Sequence, residues 1–190
     1  MKALNPDKPQ VWILTSGIRF RHFYGDICIM VEESSDIVHR NPAMAAKIKV
    51  TSTAFREGGR IPRKYTCDGD NVNPPLTIGD VPAETKSLVL IVDDPDAPGG
   101  TWDHWVVWNI PPITEILENS VPGEQGMNDS MRQRYSGPCP PPGTHRYFFK
   151  VYALDTLLNL DPSSTKHVVE EAMKGHILAQ GELIGRYSRD

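Results

Sequence analysis

The sequence predicts a mostly β domain, a sandwich or barrel of antiparallel sheets, on three observations. From Lys47 onward, short β-favouring runs alternate with clusters of Pro, Gly, Asn and Asp, the punctuation of all-β folds rather than of βαβ units. Thirteen of the 17 prolines fall between Pro62 and Pro142, where each removes a ladder donor and stiffens a loop. One segment near the C-terminus carries a helical period.

Taken in chain order, residues 1–43 show no sustained period of two or 3.6, apart from a strand expected around Asp26 to Glu32. A cleaner pattern opens at Met44. The chain therefore divides into an N-terminal extension, 1–43, and a domain, 44–190, and two readings of the extension stay open: a native segment, or a chain whose true start is Met44. Strands are expected at Ile48–Thr53, Leu88–Asp93, His104–Ile110, His145–Leu154 and Ile177–Tyr187. Leu88 to Val92 is apolar on both faces, which places it centrally in a sheet. The helix is expected to take Ser163 or Ser164 as N-cap, to present Val168, Val169, Ala172 and Met173 as its apolar stripe, and to stop at Gly175.

A length of 190 residues fits one domain. Lys and Arg number 20 against 24 Asp and Glu, a net charge of −4, and the charges are interspersed, so no basic surface for nucleic acid or an anionic membrane is expected. No apolar run approaches the roughly 20 residues of a membrane-spanning helix, and integral membrane contact is not expected. Asp7 and Pro9 interrupt the N-terminus in a way that does not suit a signal peptide, and the chain reads as cytoplasmic. Three cysteines, Cys28, Cys67 and Cys139, do not make the framework of a disulfide-built secreted domain.

The polar residues with chemical potential gather at strand ends. The central apolar run leads directly into Asp93-Asp94-Pro95-Asp96-Ala97-Pro98. Nine residues separate Asp94 from His104, so antiparallel pairing of their strands brings both to one rim. In His145-Arg146-Tyr147, a period of two puts His145 and Tyr147 on one face and Arg146 on the other. The preceding Gly137-Pro138-Cys139-Pro140-Pro141-Pro142-Gly143 is a stiff loop suited to walling a pocket. Imidazoles, a phenol and backbone N–H groups supply donors for an anion without burying an unpaired permanent charge. Asp94, accepting from a ring nitrogen, would fix a histidine tautomer and favour the imidazolium. Asp93 and Asp96 read as Asx-type turn residues, and Trp102, Trp105 and Trp108 as core or pocket wall.

Asp94-Pro95-Asp96-Ala97-Pro98 followed by His104, and Gly137-Pro138 leading to His145-Arg146-Tyr147, resemble the two signature regions of the phosphatidylethanolamine-binding protein family. Tyr65-Thr66-Cys67-Asp68-Gly69, Thr101-Trp102-Asp103-His104-Trp105 and Gly175-His176-Ile177-Leu178-Ala179 are most similar to its bacterial and archaeal branch, often called Raf-kinase-inhibitor-like. The resemblance covers roughly residues 47–189. It implies a β-sandwich of antiparallel sheets with one or two flanking helices and a small anion pocket. The implied ligand-binding residues are Asp94, Trp102, His104, Pro138, Pro140, His145 and Tyr147. It also implies a cis Ala97–Pro98 bond and places His176 near the pocket. Cys67 and Cys139 lie in branch-like motifs that bring them near the pocket, so a disulfide between them stands beside the alternative of two buried thiols. The acid-to-His104 connection is shorter than in animal members, and the animal C-terminal pocket helix has no counterpart.

The expected function is binding of a small anion or phospholipid head group, with no cofactor, no metal and no catalysis, regulating a partner such as a kinase or serine protease. Two alternatives differ in class. One is serine protease inhibition by a surface loop; the other is a metal-assisted hydrolase using Asp94, His104 and His145. The second lacks a close His-x-His or His-x-x-x-His pair. Ser136 or Cys139 beside His145 would make a hydrolase nucleophile, but there is no Gly-x-Ser-x-Gly elbow. A homodimer is compatible with all three readings.

Overall fold

The computed structural model describes residues 22–24, 27–29 and 46–189. The chain divides into two compact units, 1–41 and 42–190. In the first, β1 (His22–Tyr24) pairs antiparallel with β2 (Ile27–Ile29), Phe23 opposite Cys28. The strand expected around Asp26 to Glu32 thus appears as β2, and the rest of that stretch lies outside the described residues.

The second unit is built on a six-stranded sheet. Its strands are β3 (Ala46–Lys47), β6 (Ser87–Asp94), β7 (Trp102–Ile110), β9 (Glu124–Gln125), β10 (Thr144–Leu154) and β11 (Ile177–Ser188), in the order β3-β11-β10-β6-β7-β9. A three-stranded sheet, β4 (Lys49–Thr51), β5 (Leu76–Gly79) and β8 (Glu115–Ile116), lies against one face. Pairing is antiparallel except that β3 joins β11 in parallel. The strand expected at Ile48–Thr53 appears as β4 alone, and β3 lies just before it. The chain leaves the large sheet at Ile48, whose N–H still donates to Gln180 at 2.9 Å, and enters the small one as β4.

Two cores sandwich the large sheet. Leu88, Leu90, Val92, Trp105, Val107, Phe149 and Val151 pack toward Ile48, Leu76, Ile78 and Ile116 of the small sheet's side. Val89, Ile91, Val106 and Trp108 face the other way, onto Leu158, Val169 and Met173. Every residue of β6 is buried, which is why Leu88 to Val92 shows no alternation. In β10, where one face is better covered, alternation is clean from Thr144 to Ala153.

Helix α1 (Lys166–Met173) covers the second core, with Val169 and Met173 buried and Ala172 partly so. Two expectations need correction. Val168 is exposed, because the buried stripe is narrower than the sequence suggested. The N-cap is Thr165 rather than Ser163 or Ser164, and its side chain makes no capping hydrogen bond. Asp161 takes up both serines first, its Oδ1 accepting the Ser163 N–H and its carbonyl the Ser164 N–H, each at 2.8 Å. The Ser164 carbonyl then accepts Met127 N–H at 2.9 Å. Gly175, at φ 81°, stands just past the helix as expected.

The short strands β5, β8 and β9 escaped the sequence reading. Each has two to four residues, too few for a period to declare itself.

Candidate ligand-binding site

The site begins with a defect in the sheet. Val92 pairs with Trp105 and Asp93 with Asp103, so His104 is the extra residue of a β-bulge on β7. Without the bulge, alternation would put His104 on the same face as Val106 and Trp108. With it, His104 joins the face of Asp94 and Tyr147, its ring edge-on to Tyr147 at 5.3 Å between centroids and 74° between planes.

Each imidazole is fixed through Nδ1. His104 Nδ1 lies 2.6 Å from the Ser136 carbonyl, which only accepts, so Nδ1 carries the proton and Nε2 presents a lone pair. Burial pushes the His104 pKa below its ordinary 6.5, against the opposing pull of the Ser136 carbonyl and Asp94. His145 Nδ1 lies 2.8 Å from Asp94 Oδ2, and both side chains are almost wholly buried. The other oxygen, Asp94 Oδ1, accepts the Asp96 N–H at 2.8 Å. Neither Nε2 has a hydrogen-bond partner among the described residues. The carboxylate thus orients His145, while a backbone carbonyl orients His104.

Tyr147 is fully buried behind these rings. Its hydroxyl has no partner of good distance and angle, although Asp94 is close enough to add to the upward push that burial gives the phenol.

Asp94, His104 and His145 open onto a cavity of about 550 Å³, whose wall includes Trp102, Pro140, Ser136 and the Cys67–Cys139 pair. Trp102 is 42% exposed and sits at the mouth. A groove of about 650 Å³ over β10 and β11, lined by Lys47, Glu57, Lys150, Tyr152, Gln180 and Glu182, is larger. It gathers no histidine and no fixed ring nitrogen, so the smaller cavity is the candidate site.

The proline loop is held from several sides. Cys67 N–H donates to the Pro138 carbonyl at 3.0 Å, and Gly137 N–H to Asn71 Oδ1 at 2.7 Å. A Cβ at Gly137 would stand 2.3 Å from the Tyr65 carbonyl oxygen, so only glycine fits there. A disulfide joins Cys67 to Cys139 with Cα atoms 5.4 Å apart.

The structure therefore brings Asp94, Trp102, His104, Pro140 and His145 around one cavity and sets two expected residues behind it. Pro138 is buried and braces Cys67 rather than lining the cavity, and Tyr147 backs His104. His176 is exposed and pairs with Asp155 at 2.8 Å, away from the cavity, because it lies in the turn between α1 and β11. The Ala97–Pro98 bond is trans. Gly99 and Gly100, at φ 89° and 133°, supply the reversal, with Gly100 N–H on the Ala97 carbonyl at 3.3 Å.

The readings of Asp93 and Asp96 are also corrected, since Asp94 is the residue that closes the Asx turn. Asp96 takes Arg146 through both oxygens, at 2.7 and 2.9 Å, and that guanidinium draws its carboxyl down to about 2. Asp93, wholly buried on the opposite face, holds Lys150 at 2.8 Å and Lys166 at 2.7 Å. Lys166 also reaches Asp103 at 3.0 Å.

Sequence reasoning missed Asn128, which is 2% exposed. Its amide donates to the carbonyls of His104 and Arg134 at 3.0 and 2.8 Å and to Ser136 Oγ at 3.1 Å. Asn128 thereby ties the bulge to the cavity wall. No periodicity marks a residue that acts through its amide alone.

Among the described residues no group of three His, Cys, Asp or Glu side chains converges to hold a metal ion, and no helix is long and apolar enough to cross a membrane. Comparison with known proteins agrees with the geometry. Residues 51–188 match the family model described as phosphatidylethanolamine-binding protein. A UPF0098 protein of Methanothermobacter thermautotrophicus is 55% identical over 144 residues, covering 72% of this chain and 95% of the relative. The crystal structure of a phosphatidylethanolamine-binding protein homologue from Chlamydia trachomatis superposes with a TM-score of 0.73 at 45% identity, covering 76% of this chain and 99% of that one. Escherichia coli YbcL, described as a member of the mammalian family, superposes with a TM-score of 0.71 at 33% identity, covering 76% of this chain and 100% of its own. On these grounds, the chain belongs to the phosphatidylethanolamine-binding protein family.

Proposed function

We propose that the cavity binds a small anion, a phosphate, a carboxylate or the head group of a phospholipid, and that the protein acts by binding rather than by catalysis. The observation that carries this reading is the pair of imidazoles fixed through Nδ1, each with an unpartnered Nε2 at one cavity. A neutral ring in this tautomer offers a lone pair, so an anion at Nε2 must arrive with a proton. A phosphate monoester can bring its own as P–OH, and a proton taken up from solvent serves equally. Binding therefore weakens as the pH rises. With few contacts to offset the cost of association, affinity for simple phosphates is expected between about micromolar and millimolar.

The test is an NMR titration of wild type and His145→Ala with phosphorylethanolamine and with acetate at several pH values, following the imidazole signals. Saturable shifts that disappear in the variant support the reading. Absence of shifts at high ligand concentration sinks it. In this reading, any effect on a kinase or serine protease acts through the occupied cavity and is abolished by His104→Ala with His145→Ala. Inhibition by a surface loop would survive both substitutions.

A further inference from the structure

The cavity wall contains one permanent cation among its described lining residues, Arg132. Several other basic side chains of the domain are committed elsewhere. Arg146 is held by Asp96, Lys150 and Lys166 by Asp93 on the opposite face, and Arg189 by Asp68. Arg63 Nε donates to the Asp68 carbonyl at 2.7 Å. The Arg132 guanidinium has no partner among the described residues. The cavity's own carboxylate, Asp94, is turned to His145.

Arg132 is also placed with unusual firmness for an exposed residue. Its backbone N–H donates to Asn128 Oδ1 at 3.0 Å, and the same oxygen accepts the Ser130 N–H at 3.0 Å. Asp129 N–H donates to the Asp103 carbonyl at 3.0 Å, and Asp129 Oδ2 accepts the Asp103 N–H at 2.7 Å. The residue just before it, Met131, stands at φ 56°, a left-handed conformation that costs a non-glycine residue energy and is kept where the surroundings impose it. Asn128 thus fixes the Arg132 backbone to the strand that carries His104, so the fold sets where this side chain joins the cavity wall. A ligand with a second anionic group can engage the imidazoles and the guanidinium together.

Resting on the anion reading above, we propose that the preferred ligand is a phosphate monoester that also bears a carboxylate, with the phosphate at the imidazoles and the carboxylate at Arg132. Two compounds isolate the difference. O-Phosphoserine and phosphorylethanolamine share the phosphate ester and the ammonium and differ by one carboxylate. Isothermal titration of the full chain should show phosphoserine binding about tenfold more tightly, the scale of one charge-assisted contact near a surface.

Arg132→Ala should bring that ratio to about one. Arg132→Lys should keep part of the preference, since it retains the charge without the guanidinium fork. The preference should also shrink as salt is raised, because Arg132 is open to solvent. Equal binding of the two compounds by wild type overturns the proposal while leaving the anion site standing, as does a preference that persists in Arg132→Ala. Binding of neither compound overturns both.

Discussion

Replacing Asp94 by Asn tests the logic of the site most directly, because the structure dictates how the new amide must sit. Asp94 Oδ1 accepts the Asp96 N–H at 2.8 Å, so the amide oxygen has to occupy that position, and the NH2 group turns toward His145 Nδ1. A donor now faces the ring where a carboxylate stood at 2.8 Å. His145 answers by moving its proton to Nε2, which becomes a permanent donor toward the cavity. Folding loses the difference between a charge-assisted and a neutral hydrogen bond, about 1 kcal/mol, equivalent to a melting temperature lower by roughly 2–4 °C for a chain of this size. Binding changes in kind rather than merely in strength. Wild-type affinity for phosphorylethanolamine should rise on acidification, whereas Asp94→Asn should bind about tenfold more weakly at low pH and follow a shallower profile, since only His104, still held by Ser136, then depends on an added proton. The 15N shifts of the His145 ring report the tautomer without any ligand. A variant that still carries its proton on Nδ1, or a binding profile parallel to wild type, would refute the reasoning.

Three further outcomes are expected. The Cys67–Cys139 bond closes a loop of 72 residues, so the double Ser variant should lose roughly 4 kcal/mol in the chain-entropy description and melt on the order of 10 °C lower. Alkylation of the unreduced protein followed by intact-mass analysis should leave Cys67 and Cys139 unmodified. Asp93→Asn leaves Lys166 and Lys150 facing a neutral group; with Lys150 28% and Lys166 15% exposed and able to shift toward water, the loss in chemical denaturation should be about 3 kcal/mol. The double variant Asp93→Asn, Lys166→Met should recover part of it.

Stability should also fall in two acid windows. Folded His104 resists a proton that the unfolded chain accepts near 6.5, so denaturation midpoints drop as the pH falls through that value, and His104→Gln removes the effect. The Asp96–Arg146 contribution is complete above the unfolded carboxyl value of 3.8 and is lost as the pH falls toward about 2. A pH series of midpoints that is unchanged by His104→Gln would refute the first assignment.

The long strands and the site's outline were legible because each rests on local pattern. Leu88 to Val92 announced a strand buried on both sides, and the alternation of His145, Tyr147 and Phe149 against Arg146 and Phe148 gave the face of β10. Asp94 and His104 were legible as neighbours because nine intervening residues favour a hairpin. What stayed hidden depends on long-range pairing. The bulge at His104 is a property of register between two strands, and Asn128 matters through contacts with residues 104, 134 and 136. Asp93 looked like a turn former because Lys166, its partner, lies 73 residues away. The early start expected for α1 failed for the same kind of reason, since Ser164 is taken by Met127.

The bulge at His104 has a consequence for how such a pocket arises and how it is erased. Asp93 and Asp94 are consecutive, yet one serves a buried ion pair beneath the sheet and the other the cavity above it. The partner strand needs an added residue to bring a histidine onto Asp94's side. The pocket is therefore written as much in a change of length as in a change of chemistry. Shortening the 102–104 segment by a single residue would keep both a continuous hairpin and every imidazole, while turning His104 toward the helix layer. Alignments that treat such a gap as noise would score the shortened chain as nearly intact, although the cavity had lost one of its two imidazoles.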